Sequence, residues 1–297
     1  MDFEKLIGNE EVKQILKHTV ESGKILHSYI FQGIEGIGKK KFADEFAKMI
    51  LCTSKVTNCT ECKSCIEFKS KNHPDFFEIL SDNQSIKIEK IRNMQATVLE
   101  KPIVSNHKVY IIDDADFMTK EAQNCLLKTL EEPPVYVTII LIVSNESKLL
   151  PTIKSRCTKI LFQPIENNTL NNFLQEKYGY NNLTNNMVNL FQGSIKRAIQ
   201  IQEKKEIYME LDKIFLEHEK YNILDAMNNL ELLYKNKEII DELLDYIKII
   251  FYQKIKKGNK YILYIEEIEE TKNRLKFNSN YDICIDRLLF KIWEENN

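Results

Sequence analysis

The chain has 297 residues, a length that suggests two or three domains. Hydrophobic residues make up 43% of it and charged residues 29%, values typical of a soluble globular protein with a sizeable core. The formal net charge of -2 excludes a chain that is electrostatically committed to DNA as a whole. Any contact with nucleic acid therefore requires a local patch or partner subunits.

The N-terminal segment MDFEKLIGNEEVKQ is charged from its second residue and lacks both an apolar stretch and a small-residue cleavage site. It is therefore not expected to be a signal peptide. No apolar run approaches the roughly 20 residues that span a bilayer. We expect a cytoplasmic protein, in which the seven cysteines stay reduced and require an explanation other than disulfides.

The N-terminal part of the chain alternates predicted strands with predicted helices. Strands are expected at 26–32, 76–80, 109–112 and 137–143, and helices at 40–51, 86–99 and 120–131. This alternation predicts a parallel α/β sheet. After Pro164 the strand signals stop, and short helices are expected at 168–178, 183–192 and 194–204. We predict an α/β domain at 1–165, a small helical domain at 166–206 and an all-α domain at 207–297.

Residues 33–40 read GIEGIGKK between a predicted strand and a predicted helix, the context that a phosphate-binding P-loop requires. Gly33, Gly36 and Gly38 would let backbone N–H groups converge on phosphate oxygens, and Lys39 stands where the P-loop lysine reaches the β- and γ-phosphates. The next position requires Ser or Thr to ligate Mg²⁺, but it holds Lys40. ATP and Mg²⁺ are thus doubtful ligands. Weak nucleotide binding, a vestigial loop and a simple Gly-rich turn all remain open.

Residues 109–114 read VYIIDD, the pattern of a Walker-B strand in which Asp113 lies beside Mg²⁺. The next residue, Asp114, is one methylene shorter than the Glu that would orient the attacking water, so it would misplace that base. A strand end capped by acids is the simpler alternative. Both motifs favour a nucleotide-binding fold with impaired catalysis.

Four cysteines follow the first predicted helix with the spacing C-x₆-C-x₂-C-x₂-C: Cys52, Cys59, Cys62 and Cys65. Four thiolates this close can surround one tetrahedral Zn²⁺, and a site closed by four protein ligands is structural. Unliganded thiols and an iron–sulfur cluster are the alternatives. A ferredoxin-type run expects its fourth cysteine downstream and followed by Pro, whereas here it lies upstream and Ile66 follows Cys65.

These motifs, in this order, resemble the bacterial replicative clamp-loader subunits of the AAA+ family. The matching segments are HSYIFQGIEGIGKK at 27–40, the cysteine knuckle at about 52–65, NHPDF at 72–76, VYIIDDADFMTKEAQNCLLKTLEEPP at 109–134 and LLPTIKSRC at 149–157. The resemblance covers roughly residues 5–205. It implies a P-loop domain with a zinc-binding insert, a helical lid and a helical collar that joins the subunits.

Within this family, Lys40 and the Asp113–Asp114 pair are similar to the non-hydrolysing delta-prime class of DNA polymerase III rather than to the ATP-hydrolysing motor subunits. The resemblance implies that Arg156 of the SRC motif acts in trans, as an arginine finger in a neighbour's ATP site. Asn145 matches the sensor-1 region. The segment GSIKRAI at 193–199 matches sensor 2, where motor subunits carry Arg and this chain has Lys196.

The implied partners are gamma/tau-type motor subunits and a delta subunit, with the sliding clamp and primer-template DNA reached through the complex. Two other functions stay open. One is an active AAA+ motor ATPase, against which Lys40 argues. The other is a zinc-knuckle nucleic-acid-binding protein, although Glu61 and Glu67 offset Lys55 and Lys63 and the knuckle has no aromatic residue between its cysteines to stack on bases. From the residues alone, Arg156 could equally form a surface ion pair.

Overall fold

The computed structural model describes residues 3–54, 59–82, 85–181, 183–221, 230–258, 260–277 and 279–294. Lys55 of the knuckle lies outside these residues. The chain divides into two compact units. Unit 1 comprises Met1–Glu166 and Gly193–Ile195, and unit 2 comprises Asn167–Gln192 and Lys196–Asn297.

Unit 1 contains a five-stranded sheet in the order β2-β3-β4-β1-β5, and every neighbouring pair is parallel. The strands are β1 (Ser28–Gln32), β2 (Phe76–Ile79), β3 (Lys108–Ile112), β4 (Val137–Val143) and β5 (Thr158–Leu161). The predicted parallel α/β sheet is confirmed. Strands β3 and β4 are buried along their whole lengths, as expected for central strands covered on both faces.

Strand β5 was not predicted from the sequence. It pairs with β1 in the register Tyr29↔Thr158 to Gln32↔Leu161. Only Ile160 of its four residues is buried, and the apolar run at this place is short, because Thr158 and Lys159 precede it. The pairing with β1 makes it a strand, because backbone hydrogen bonds do not depend on the side chains.

The helices of unit 1 are α1 (Glu10–Glu21), α2 (Lys39–Leu51), α3 (Lys63–Lys69), α4 (Ile88–Val98), α5 (Lys120–Glu131) and α6 (Pro151–Lys154). The expected helices at 40–51, 86–99 and 120–131 are confirmed within one or two residues, whereas α1, α3 and α6 were missed. Helix α2 packs Phe42 and Phe46 against Phe31 and Phe162. Each fully buried aromatic side chain of this kind contributes roughly 2–3 kcal/mol, so this cluster fixes the start of α2 over the sheet.

The described residues of unit 2 form helices joined by turns and no strand, which confirms the helical C-terminal part. Its helices are α7 (Asn167–Tyr178), α8 (Asn185–Asn189), α9 (Ile195–Glu203), α10 (Lys205–Phe215), α11 (Glu231–Lys235), α12 (Ile240–Lys254), α13 (Lys260–Lys276) and α14 (Tyr281–Glu294). Helix α12 forms the centre of the core of this unit, where Leu243, Ile247, Ile250 and Phe251 are fully buried. Within the described ranges, no helix combines the length and the apolar character needed to cross a membrane.

Candidate functional site

The loop between β1 and α2 has the backbone shape of a phosphate loop. Gly36 and Gly38 have φ values of 76° and 104°, a region that side chains other than glycine rarely adopt. A Cβ atom at Gly33 would lie 2.8 Å from Phe162 Cβ and 2.9 Å from its carbonyl oxygen. The glycines are therefore required by backbone conformation and close packing, whether or not a ligand binds.

Lys39 is folded back onto this loop. Its Nζ donates to the carbonyl oxygens of Gly33 (2.6 Å) and Ile34 (2.8 Å) and to Ser144 Oγ (3.1 Å), and the residue is only 5% exposed. Burial lowers the pKa of Lys39, and the opposing effect of four nearby carboxylates is smaller: Asp116, Asp114, Asp113 and Glu35. The lysine predicted to reach a nucleotide phosphate thus contacts the loop's own carbonyl groups.

Lys40 occupies the position of the metal-ligating hydroxyl and forms ion pairs with Asp44, one turn further along α2, and with Glu78 of β2. Burial disfavours its charge, but hydrogen bonds and charge interactions with these two carboxylates outweigh burial and raise the pKa of Lys40. The position therefore holds a fixed positive charge. An ammonium group repels Mg²⁺ and cannot ligate it.

The three acids of the segment DDAD lie at the carboxyl end of β3. Burial is the main cause that raises the pKa of Asp113 and of Asp114, and Asp114 adopts a left-handed backbone with φ 51°. Asp116, which the sequence analysis missed, is 6% exposed and accepts hydrogen bonds from the backbone N–H groups of Ser144 (3.4 Å) and Asn145 (3.1 Å). It ties the loop after β3 to the loop after β4.

The two sensor regions differ in what they contact. Asn145 is exposed, and its Oδ1 accepts from Ser147 N (3.0 Å) and Ser147 Oγ (2.6 Å), so the side chain caps the turn Glu146–Lys148. Ser194, at the start of the second region, donates from Oγ to Glu35 O of the phosphate loop (2.9 Å). Lys196 belongs to unit 2.

Arg156 follows α6 and precedes β5. Its Nη2 lies 2.7 Å from Glu131 Oε1, and its Nη1 donates to Thr152 O (2.9 Å) and Ser155 Oγ (3.4 Å). Ser28 Oγ donates to the carbonyl oxygen of Arg156 (2.8 Å). The side chain is 34% exposed. The intrachain ion pair that the sequence left open is therefore present, and its partner, Glu131, was not identified from the sequence.

The phosphate loop and Arg156 lie at opposite ends of the sheet. The loop follows the carboxyl end of β1, whereas Arg156 stands before the amino end of β5, which is parallel to β1. Five residues of strand separate these ends by roughly 15 Å. The side chain of Arg156 therefore cannot serve the phosphate loop of its own chain.

The four cysteines of the knuckle lie together at the carboxyl end of α2 and around the start of α3. Their Sγ atoms all lie within 4.8 Å of one another, and Cys52 Sγ is 3.9 Å from Cys62 Sγ. Four thiolates about 2.3 Å from a tetrahedral Zn²⁺ are separated by about 3.8 Å, so the donor set fits the ion.

Backbone N–H groups support these sulfurs. Cys62 N approaches Cys59 Sγ (3.5 Å), and Cys65 N approaches Cys62 Sγ (3.4 Å). Burial opposes ionisation of Cys62, but hydrogen bonds from Cys65 and Thr53 outweigh it and lower the pKa of Cys62 to about 5. At Cys65, burial and the neighbouring thiols of Cys62 and Cys52 raise the pKa. A stabilised thiolate is the form that binds a metal.

A buried hydrogen-bond chain joins the knuckle to the segment NHPDF. His73 Nδ1 accepts from Asp75 N (3.1 Å), so the neutral ring carries its proton on Nε2 and donates to Ser64 Oγ (2.8 Å). Ser64 donates in turn to Leu51 O (2.7 Å). Burial lowers the pKa of His73, which keeps the ring neutral. The segment NHPDF therefore supports the knuckle structurally, through His73.

Comparisons with known proteins agree with this arrangement. A family model described as DNA polymerase III, delta subunit, matches residues 8–166. The delta' subunit of Bacillus subtilis is 36% identical over 167 residues, which cover 56% of this chain and 51% of that protein. The tau/gamma subunit of Haemophilus influenzae is 34% identical over 174 residues, which cover 58% of this chain and 25% of that protein.

The chain thus spans about half the length of the first relative and a quarter of the second. Among solved structures, a gamma subunit-related protein of Thermotoga maritima is 19% identical, with a TM-score of 0.47 over 95% of this chain and 99% of that chain. The family model covers more than half of the present sequence. The chain therefore belongs to the clamp-loader family of DNA polymerase III subunits.

Proposed function

We propose that this chain is the delta-prime-type, non-hydrolysing subunit of a DNA polymerase III clamp loader. In this role it helps to load the sliding clamp onto primed DNA and supplies Arg156 to the ATP site of a neighbouring motor subunit. The observation that carries the proposal is the pairing of Lys40 with Asp44 and Glu78 at the position where a hydrolysing subunit needs a metal ligand.

Three features of the phosphate loop argue against turnover in this chain. Lys40 places a positive charge at the metal position, and Lys39 donates to two loop carbonyls. Asp114 is shorter than the Glu that would orient water, and a misplacement of about 1 Å at a catalytic group can cost 10²-fold in rate. A nucleotide that binds this loop must displace Lys39 and must bind without an ordinary Mg²⁺ site.

The position of Arg156 supports its action on another subunit. It lies at the end of the sheet opposite the phosphate loop of its own chain, and a third of its side chain is exposed. A guanidinium group is always charged and presents a planar fork that matches phosphate oxygens. Such a group, placed in a neighbour's ATP site, would stabilise the charge that develops on the γ-phosphate.

Zinc has a structural role in this proposal. Cys52, Cys59, Cys62 and Cys65 would hold one Zn²⁺, which supplies tetrahedral cross-linking and no catalytic position. The ion would join the end of α2, which begins with Lys39 and Lys40, to the start of α3. The chain's own Ser64 and His73 orient α3 through buried hydrogen bonds.

Unit 2 would provide a helical lid at 166–206 and a collar at 207–297 that assembles with the motor and delta subunits. Its own core is filled by α12, so partners would have to use other residues. Large apolar side chains remain exposed on α12, α13 and α14, with exposed fractions of 70% for Tyr252, 53% for Leu263, 65% for Ile283 and 51% for Phe290. Because the proposed complex would act on chromosomal DNA, the protein would work in the bacterial cytoplasm.

A hydrolysing motor subunit is the second candidate, because the relatives include tau/gamma subunits at 34% identity. ATP turnover by the purified chain separates the two functions. We expect turnover at the background level, and the variant Lys39→Ala identifies any contaminating ATPase, because only contaminant activity survives it. Turnover at the rate of a motor subunit that Lys39→Ala abolishes would establish the second candidate.

The proposed complex is tested by reconstitution with the motor and delta subunits of the same host. We expect this chain to join the complex and to raise both DNA-stimulated ATP turnover and clamp loading. A complex that is fully active without this chain would refute the proposal. Loss of function on removal of the chain, with the chain itself inactive as an ATPase, would support it.

A further inference from the structure

Glu131, the last residue of α5, holds the guanidinium group of Arg156. Its Oε1 lies 2.7 Å from Nη2. The preceding residue, Leu130, is buried in the core of unit 1, which fixes the backbone from which Glu131 projects. The carboxylate is therefore presented by a rigid helix end and not by a long flexible loop.

A second contact comes from another element. Nη1 donates to Thr152 O of α6 at 2.9 Å and to Ser155 Oγ at 3.4 Å. Contacts to two different nitrogen atoms, from α5 on one side and α6 on the other, fix the plane of the guanidinium group as well as its position. A guanidinium group has five N–H groups, and these three contacts use three of them, which leaves donors for phosphate oxygens.

We infer that Glu131 is a positioning residue for Arg156, and this inference rests on the proposed function in which Arg156 acts on a neighbouring ATP site. A free arginine side chain loses conformational entropy when it is fixed in one geometry. The contacts from α5 and α6 have already fixed it in the separate subunit. The guanidinium group therefore enters the neighbouring site with its orientation set, which favours the transition state more than the binding of ATP.

The test uses the reconstituted complex with Glu131→Ala, Arg156→Ala and the double variant, and it measures kcat and KM for ATP. We expect Glu131→Ala to lower kcat by roughly 10-fold, less than the 10²-fold that a displacement of about 1 Å can cost, with KM within about twofold of the wild type. The double variant should lose no more activity than Arg156→Ala alone, because Glu131 acts only through Arg156. Glu131→Gln keeps an acceptor oxygen and should have an intermediate kcat.

Glu132→Ala is the matched control, because it removes the same charge one residue further on, from an exposed side chain. Thermal unfolding of each isolated variant shows that it is folded. The inference is overturned when Glu131→Ala behaves as Glu132→Ala does, when it raises kcat, or when the double variant loses more than Arg156→Ala. An Arg156→Ala complex with wild-type kcat would refute the proposed function itself, and the inference with it.

Discussion

Two basic side chains of unit 1 have contrasting surroundings. Lys40, beside the carboxyl end of β1, forms ion pairs with the two carboxylates of Asp44 and Glu78. Arg156, beside the amino end of β5, forms an ion pair with one carboxylate, that of Glu131, and is otherwise held by uncharged acceptors. The two carboxylates balance the charge of Lys40, whereas Arg156 keeps unused donors beside a partly exposed surface.

The different surroundings of Lys40 and Arg156 indicate that their positive charges have different roles. At Lys40 the charge stands at the sequence position of a metal-ligating hydroxyl and is paired with two carboxylates of its own chain. At Arg156 the charge is presented at a surface far from the chain's own phosphate loop. We therefore expect changes at Lys40 to alter only this subunit and changes at Arg156 to alter its neighbour.

The largest effect is expected for Arg156→Ala. The variant should fold and assemble, because a partly exposed ion pair contributes less than about 1 kcal/mol to stability. Loss of an arginine finger should slow ATP hydrolysis at the affected site by roughly 10³-fold, and by less in the whole complex when other sites turn over independently. Steady-state ATP hydrolysis and clamp loading by the reconstituted complex measure both effects.

Arg156→Lys should rescue the activity poorly, since an ammonium group lacks the planar fork. Lys154→Ala, which removes a positive charge two residues earlier, is the control and should leave the rate unchanged. An Arg156→Ala complex that hydrolyses ATP at the wild-type rate would show that Arg156 only forms a surface ion pair. Arg156 and Lys40 would then both act within their own chain.

Loss of the zinc site should have the next largest effect. It should disturb the position of Lys40 more than that of Arg156, because Lys40 lies on α2 and the knuckle begins at the end of this helix. The chain should contain about one zinc and no iron, and Cys62→Ser should lose the zinc. Loss of a structural metal should destabilise unit 1 by on the order of 3 kcal/mol. Metal analysis and denaturant unfolding check both outcomes.

Cys125→Ser is the control for the knuckle, because Cys125 lies outside the four-cysteine cluster. It should keep the zinc. A chain that is isolated without zinc and is as stable as the metal-loaded chain would leave the four cysteines without a structural role.

The stability of unit 2 should depend on pH through His218, which is fully buried. Burial, together with the charge of Lys254, whose Nζ lies 3.3 Å from His218 Nδ1, lowers the pKa of His218 from 6.5 to about 4. Glu219 opposes this shift, and Lys260 adds to it. Between these pH values the unfolded chain binds a proton that the folded chain does not. The stability of unit 2 should therefore fall, by on the order of 3 kcal/mol, as the pH is lowered through this window.

The single tryptophan, Trp293, donates from Nε1 to His218 O (3.1 Å), so its fluorescence reports on unit 2. Urea unfolding monitored by this fluorescence should give a smaller free energy of unfolding at pH 5 than at pH 7. His218→Gln should reduce this difference, and the exposed His18→Gln of α1 should not. Equal pH dependence in all three proteins would exclude His218 as its source.

The smallest effect is expected at Lys40. Lys40→Thr restores the hydroxyl ligand and should tighten Mg²⁺-dependent ATP binding by about 10-fold, without restoring full turnover, because Asp114 remains short. Calorimetric titration of ATP with and without Mg²⁺ measures the change. Lys41→Thr removes the next lysine, which is exposed, and should have no effect. A Lys40→Thr variant with unchanged Mg²⁺ dependence would show that Lys40 is not what excludes the metal.

Local sequence patterns determined much of this protein. Apolar runs predicted the four strands 26–32, 76–80, 109–112 and 137–143, and the runs are most continuous in the central strands β3 and β4, which are buried along their whole lengths. The close spacing of the knuckle cysteines in the sequence predicted that their sulfurs would lie together, and their Sγ atoms all lie within 4.8 Å of one another. The glycines of 33–38 predicted the loop, since few other residues adopt its backbone angles.

Only the tertiary structure identified the partners of the charged residues. Glu78 meets Lys40 and Glu131 meets Arg156 across separate elements, 38 and 25 residues apart in the chain. Parallel strands in the order β2-β3-β4-β1-β5 bring together segments that are distant in sequence, and no local periodicity encodes that order. Strand β5 escaped prediction for the same reason. Local sequence therefore determined which elements form, and long-range packing decided which carboxylates Lys40 and Arg156 meet.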